Sequence, residues 1–398
     1  MPNGNSNHMS TIHCDALVVG AGFSGISMLH RLRKLGLSAK IFEAGDDYGG
    51  TWYWNRYPGA RVDSEWPFYQ LSIPEVYKTW TFKERFPGHH ELRAYFAHAS
   101  EVLNLRKDTY FGARVVDCSW NDDAGEWTIK TEQGHATKTR FLFLCTGILH
   151  HQRVPDWPGL NEYKGQVFHS SSYPEDLNLE GKRVALVGTG ATGVQITQEV
   201  AKQADHLTIL MRRPSTCFPA RQRALSVNEN RQWYAYLSAI FASGRTSVDG
   251  FIPRPRPTQR TVDAPAEERE RLWDELWDRG ALASWSQNYM DVVVDKEANR
   301  LVYEHWARKV RERMTDERKM QLMAPLPVEK MPYWILTKRP PLEIDYYEMV
   351  DKPWVDVINT KQTPTKAFNK TGLEMEDGRQ IDFDVLIFAT GFDAFKGA

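Results

Sequence analysis

The sequence predicts an α/β protein built on two Rossmann-like units. The first unit reads as discontinuous and carries a small β-meander, and a helical insertion lies in or beside the second. Three observations predict this. A short apolar strand runs directly into a G-x-G-x-x-G loop and a helix near the N-terminus, and the same order recurs from Arg183. Between the two copies lie short alternating segments parted by turn residues, the pattern of a meander. From residue 219 the apolar residues change to helical spacing.

Bulk composition narrows the function classes. The 398 residues suggest several domains, and 41% hydrophobic content is enough for sizeable cores. With 50 Lys and Arg against 51 Asp and Glu, no charge excess points to nucleic acid or to an acidic membrane surface. Cys14, Cys118, Cys145 and Cys217 form no C-x-x-C pair and sit in no metal-ligand motif, so they read as reduced thiols and no metal is expected. Residues 1–12 read as a disordered tail without the apolar core of a signal peptide. No apolar run approaches the roughly 20 residues of a membrane span. A cytoplasmic enzyme is the expectation, with no membrane partner.

In the first unit, Asp15-Ala-Leu-Val-Val-Gly20 is a strand of the kind buried on both faces. Gly20-Ala-Gly22-Phe-Ser-Gly25 follows, then a helix over 26–35 and a strand over 38–42 that ends in Glu43. Gly20 suits the tight turn, Gly22 the close approach of a pyrophosphate, Gly25 helix packing, and Glu43 the ribose hydroxyls. A helix is predicted over 90–105. Strands are predicted over 115–120, 126–130 and 139–147, the last running into Cys145-Thr-Gly147, which could return backbone to the nucleotide. Residues 148–181, with Pro155, Pro158 and Gly159, read as an interdomain linker.

The second unit opens with a strand over 183–187 and the loop Gly188-Thr189-Gly190-Ala191-Thr192-Gly193. A helix over 194–203 and a strand over 206–211 follow, ending in Arg212-Arg213 where the first unit has Glu43. An acid at that position suits a free ribose 2′-hydroxyl, whereas arginine suits a 2′-phosphate. The first site therefore reads as FAD-like or NAD-like and the second as NADP. Residues 251–257 read as a proline-rich connector, and 267–279 and 297–314 as helices whose Trp stripe is packing. Residues 384–391 form one more buried-type strand ending in Ala-Thr-Gly, echoing Cys145-Thr-Gly147. The domain reading is 13–150 for the first unit, 151–218 for the second, 219–330 for the insertion with the rest of the second, and 331–398 as a return to the first, cut short at Ala398.

One stretch fits no helix or strand period: Gly49-Gly-Thr-Trp-Tyr-Trp-Asn-Arg-Tyr-Pro-Gly-Ala-Arg-Val-Asp63. Its aromatic bulk reads as the wall of a flat cofactor, with Asp63 at the reacting end. Far along the chain, Lys338-Arg339 precedes Pro-Pro-Leu, two adjacent cations at a loop.

These marks together resemble the class B flavin monooxygenases, and among them the type I Baeyer–Villiger monooxygenases. The resemblance spans essentially the whole chain. It rests on the two glycine loops, on residues 49–63 and on Lys338-Arg339-Pro-Pro-Leu. Residues 163–174 are similar to the family fingerprint F-x-G-x-x-x-H-x-x-x-W-[PD]: Gly165, His169 and Pro174 match, while Tyr163 replaces the Phe and Tyr173 the Trp. Those departures point to a divergent branch, such as a tailoring enzyme of secondary metabolism.

The resemblance implies FAD and NADPH as cofactors and a ketone and O2 as substrates. It implies an ester or lactone product formed through a flavin C4a-peroxide. It assigns Gly20, Gly22, Phe23, Ser24, Gly25 and Glu43 to the FAD pyrophosphate and ribose. Thr51, Trp52, Tyr53, Trp54, Asp63 and Tyr69 would line the flavin, with Val115 toward the adenine. Gly188, Thr189, Gly190, Ala191, Thr192, Gly193, Arg212, Arg213 and Lys338 would bind NADPH, with Arg61 nearby. Arg339 would be the active-site arginine and Asp63 its partner. His169 would be structural or a hinge. A sister enzyme oxidising nitrogen or sulfur would share both nucleotide sites, and a shortened, non-catalytic nucleotide-binding protein would share much of the sequence.

Overall fold

The computed structural model describes residues 12–247, 250 and 255–394. The tail reading therefore falls outside the described residues except at Ile12, which already belongs to a strand, and residues 251–254 of the proline-rich connector also fall outside them.

Two sheets carry the nucleotide units. The first has six strands: β1 (Ile12–Val19), β2 (Ala39–Phe42), β3 (Thr109–Tyr110), β4 (Val115–Asn121), β5 (Glu126–Thr131) and β6 (Ala136–Leu144), in the order β3-β2-β1-β6-β5-β4. β3, β2, β1 and β6 run parallel, and β5 and β4 continue antiparallel. β1 buries Ala16, Leu17 and Val18 completely, as a central strand covered on both faces must. Helix α1 (Phe23–Lys34) follows it and buries Ile26, Leu29 and Leu32 against the sheet. The meander is β4–β5–β6, as its alternating pattern predicts, and β6 closes it by pairing parallel with β1 along its length.

The second sheet is wholly parallel. It contains β7 (Gln166–His169), β8 (Arg183–Val187) and β9 (His206–Met211), and from the end of the chain β12 (Val355–Asn359) and β16 (Val385–Phe388). The order is β12-β9-β8-β16-β7. Two small sheets complete the count among the described residues. One pairs β10 (Phe218–Pro219) with β11 (Leu342–Glu343). The other is the antiparallel layer of β13 (Thr365–Phe368), β14 (Gly372–Met375) and β15 (Gln380–Asp382).

Two expectations differ from this arrangement. Strand β16, read as a return to the first unit, lies in the second sheet between β8 and β7, and β12 joins the same sheet beside β9. The cause is the β13–β15 layer, whose Phe368, Leu373 and Met375 pack on Val187, Leu210 and Leu386 of the second sheet. The layer delivers the chain there, and an all-apolar strand can be buried in the interior of either sheet. The stretch read as an interdomain linker likewise contributes β7 to the edge of the second sheet.

The helical insertion is present, with Ala266–Arg279 and Lys296–Arg311 as its longest helices. Their Trp273, Trp277 and Trp306 are at most 6% exposed, which makes the Trp stripe core packing.

Candidate functional site

The two glycine loops have the same local construction. Gly20 sits at φ +102°, and a Cβ there would lie 2.5 Å from the Cys145 carbonyl oxygen. Gly188 sits at φ +108°, and a Cβ there would lie 2.5 Å from the Ala389 carbonyl oxygen. The echo between Cys145-Thr-Gly147 and Ala389-Thr-Gly391 is therefore structural. In each unit the returning strand ends with its backbone pressed against the first glycine of the loop, leaving room for no side chain.

Each loop also opens a helix whose N-terminus is free. Gly22 caps α1 and Gly190 caps the helix Ala191–Val200. Neither has a side-chain cap, and neither first turn holds an acidic residue. Unshared amide donors at the positive end of a helix form a ready cradle for a diphosphate. This donor set fits the FAD and NADP assignments, as does the bare Gly190, around which a Cβ would meet nothing within 4 Å.

The first cradle opens into a cavity of about 470 Å³. Its walls include Gly20, Gly22, Phe23, Ser24, Glu43, Thr51, Trp52, Trp54, Tyr69 and Val115, so most residues assigned to FAD converge on one space. The Glu43 carboxylate accepts from the Ala21 amide at 2.6 Å and from the Gly45 amide at 2.7 Å, and the residue is 5% exposed. It therefore staples the glycine loop to the end of β2 as well as facing the cleft.

The stretch read as irregular contains one turn of helix, α2 (Thr51–Trp54), entered from Gly50 at φ +52°. Four side chains on one turn fan around the axis, so they cannot all face one cleft. Thr51, Trp52 and Trp54 do, and the Trp52 indole N–H donates to the Tyr69 hydroxyl at 3.0 Å. Tyr53 packs over Gly45 instead, and its hydroxyl accepts from the Asp46 amide at 3.1 Å. Gly25 is walled off by the Gly20 carbonyl, so its role is the close packing of helix on strand.

At the end of the stretch, Asp63 and Arg339 meet across 276 positions of sequence. The Arg339 guanidinium donates to both carboxylate oxygens, at 2.8 and 2.7 Å, and to the Ser64 hydroxyl at 2.9 Å. A bidentate pair of this kind fixes the plane and direction of the guanidinium. Arg339 keeps 41% side-chain exposure, so the fixed cation is still accessible.

Its loop is held from behind by Asn299 of the helical insertion, which is fully buried. The Asn299 amide donates to the carbonyls of Val292 and Ile335 and accepts from the Ile335 amide. Leu336 follows at φ +63°, an uncommon conformation for a leucine and one that the buried anchor holds in place. Lys338 lies over the Tyr333 ring at 5.2 Å. The Tyr333 hydroxyl accepts from the Thr216 amide, which ties Lys338 to the segment after Arg213.

Arg212 is exposed at the end of β9, and Arg213 is bound through its carbonyl to the Thr189 hydroxyl at 2.7 Å. Arg61 points elsewhere: its guanidinium bonds Glu84 and the Phe86 carbonyl, and only its backbone meets the second unit. Sequence reasoning missed Asn299, Ser64, Arg114 and His150. The last two line the first cavity and meet at 3.1 Å. Nothing in composition or spacing marks them; adjacency to Asp63 and Val115 is the only signal for Ser64 and Arg114.

This geometry coincides with that of known proteins. A model of the family described as flavin-binding monooxygenase-like matches residues 15–222. The chain belongs to that family. It is 39% identical over 399 residues to the FAD-binding monooxygenase acrE of Aspergillus aculeatus, a match covering 100% of this chain and 67% of that protein. It is 36% identical over 384 residues to cyclopentanone 1,2-monooxygenase of Comamonas sp., covering 96% and 69%. Its fold superposes on the crystal structure of cyclohexanone monooxygenase from Rhodococcus sp. Phi1 bound to NADP+ with a TM-score of 0.89 at 31% identity, covering 96% of this chain and 71% of that one. The flavin monooxygenase thus shares its two-unit architecture with these relatives over nearly its whole length. Among its described residues no helix is long and apolar enough to cross a membrane, and no group of three or more His, Cys, Asp or Glu could hold a metal ion.

Proposed function

We propose that this flavin monooxygenase is of the Baeyer–Villiger type and uses FAD, NADPH and O2 to insert one oxygen atom beside a ketone carbonyl, giving an ester or lactone. The observation that carries the reading is the bidentate Asp63–Arg339 pair at the end of the stretch that walls the flavin cleft. The ketones named for the cyclopentanone and cyclohexanone monooxygenases support the substrate class.

The bound cofactors supply the redox chemistry, with NADPH as reductant and FAD as the site of oxygen activation. The chain's own residues do the rest. The amides of Gly22–Ser24 and of Gly190–Thr192 would hold the two diphosphates. Arg212, Arg213 and Lys338 would meet the 2′-phosphate of NADPH. Trp52, Trp54 and Tyr69 line the cleft and would exclude water from the bound flavin. The Arg339 guanidinium would stabilise negative charge as it builds on the substrate's carbonyl oxygen. Asp63 holds the guanidinium in plane. The Tyr163 and Tyr173 departures from the family fingerprint support a place in secondary metabolism.

The test is Arg339→Ala, assayed beside the wild type with NADPH and a panel of cyclic and polyketide-type ketones, amines and sulfides. Ester formation is expected to vanish while NADPH oxidation persists. Ester at near wild-type rate would remove Arg339 from the mechanism. Retained oxidation of amines or sulfides with no ester from either protein would favour nitrogen or sulfur oxygenation.

A further inference from the structure

Gln195 stands one turn into the helix Ala191–Val200, behind the second glycine loop, and no role in the reading above falls to it. It is 8% exposed, and both ends of its amide are used. The oxygen accepts from the Tyr57 hydroxyl at 2.8 Å, and the nitrogen donates to the Arg61 carbonyl at 3.0 Å. Tyr57 and Arg61 belong to the stretch that walls the flavin cleft.

The contact is close as well as polar. Gly59 sits between them at φ +79°, and a Cβ there would lie 2.7 Å from the Gln195 carbonyl oxygen and 3.0 Å from Glu199 Cγ. The Tyr57 hydroxyl also faces the Thr192 side chain of the glycine loop itself, and burial pushes the phenol up to about 12, so it stays a neutral donor. Two residues beyond Arg61, Asp63 grips Arg339, whose neighbour is Lys338. The path from the second glycine loop to the active-site guanidinium is thus a short run of directional contacts, buried at Tyr57 and Gln195 and opening toward solvent at Asp63 and Arg339.

We infer that Gln195 is a positioning residue that couples the nicotinamide-nucleotide site to the flavin wall: occupancy of the second glycine loop orders residues 57–63 and with them the Asp63–Arg339 pair. The inference rests on the reading of that loop as the NADP(H) site. Two hydrogen bonds to one buried side chain can transmit such order, because losing either takes away a directional tie between the helix and the wall stretch. A ligand that rigidifies the helix then rigidifies the wall stretch through it.

The experiment uses the FAD-loaded protein and follows amide hydrogen exchange across residues 57–63, with and without NADP+. The proteins are the wild type, Gln195→Leu and Tyr57→Phe. NADP+ affinity is measured in parallel by flavin absorbance titration. NADP+ is expected to slow exchange in 57–63 in the wild type. In Gln195→Leu that slowing is lost and in Tyr57→Phe it is reduced, while NADP+ affinity is little changed. Anaerobic reduction of the flavin by saturating NADPH should fall about tenfold in Gln195→Leu, the scale expected when reacting groups lose alignment by a fraction of an ångström. Should Gln195→Leu not fold, Tyr57→Phe alone decides, because it deletes one hydroxyl and keeps the ring. Slowing that persists in the folded variants overturns the coupling and leaves the site assignment standing. A wild type that does not bind NADP+ overturns the assignment of the second loop, and the coupling with it.

Discussion

Glu43 serves the fold at the very position where a ligand role is proposed for it. An acid at the end of β2 reads in sequence as a ribose partner, and the structure adds two internal bonds, to the amides of Ala21 and Gly45. In Glu43→Gln the neutral amide can accept at one oxygen only, and its NH2 then faces a backbone N–H. We expect a loss of about 1–3 kcal/mol, the cost of leaving a buried donor unpaired. Calorimetry should find it in the FAD-free protein as well as the loaded one. A loss confined to the loaded protein would mean that Glu43 acts on the ribose alone. Other residues differ in how far sequence could place them. The pairing of Asp63 with Arg339 was legible only through family resemblance, since no local pattern joins residues so distant. The direction of Tyr53 and Arg61 was not legible at all, because a side chain's heading on a single helical turn or in a loop is set by neighbours such as Gly45 and Glu84.

Strands were the most legible elements. β1, β8 and β9 are short apolar runs, and each lies between two parallel neighbours with both faces covered. The same property hid the partner of β16, because an apolar run carries no record of which sheet receives it. The helix His89–Val102 carries a feature that sequence could not show. His89, 6% exposed, has an Nδ1 without a hydrogen-bond partner, and its ring lies 3.8 Å from that of His90. Burial first, then the charge of His90, pushes its pKa down from 6.5 to about 4, with Arg93 and Arg56 adding and Glu175 opposing. The folded state thus holds His89 neutral where the unfolded chain would bind a proton. Stability from this group is present above pH 6.5 and is lost as pH falls toward 4. At about 1.4 kcal/mol per pKa unit the loss is roughly 3–4 kcal/mol at most. His89→Phe keeps the ring contact and cannot protonate. Thermal melts from pH 7 to 4 should therefore fall less steeply for His89→Phe than for wild type, and parallel curves would show that His89 does not contribute.

At the scale of the whole molecule, what joins the units matters as much as the units themselves. The wall stretch touches the second glycine-loop helix through Gln195, and Asn299 of the insertion holds the loop that presents Arg339. The insertion also docks directly on the first unit. Leu225 N–H donates to the Lys83 carbonyl and Arg85 N–H to the Arg223 carbonyl. Beside them Asn230, fully buried, accepts from the Phe82 amide at 3.1 Å and donates to its carbonyl at 2.9 Å. A helical pattern with a polar residue on its inner face reads in sequence as a flaw, because the backbone that needs it lies far away in the chain. Asn230→Leu fills the same space but strands both backbone groups of Phe82 away from water, at a cost of about 2 kcal/mol or more. The insertion should then loosen from the first unit before either sheet melts. Limited proteolysis of Asn230→Leu is expected to cut residues 225–247 well below the main thermal transition, with cleavage of the wild type absent there. Because the bonds of Asn230 reach only Phe82 and Ser226 and neither glycine loop, NADP+ affinity should hold in the same variant. Equal protease resistance in the two proteins would place the docking strength in the backbone pairs alone.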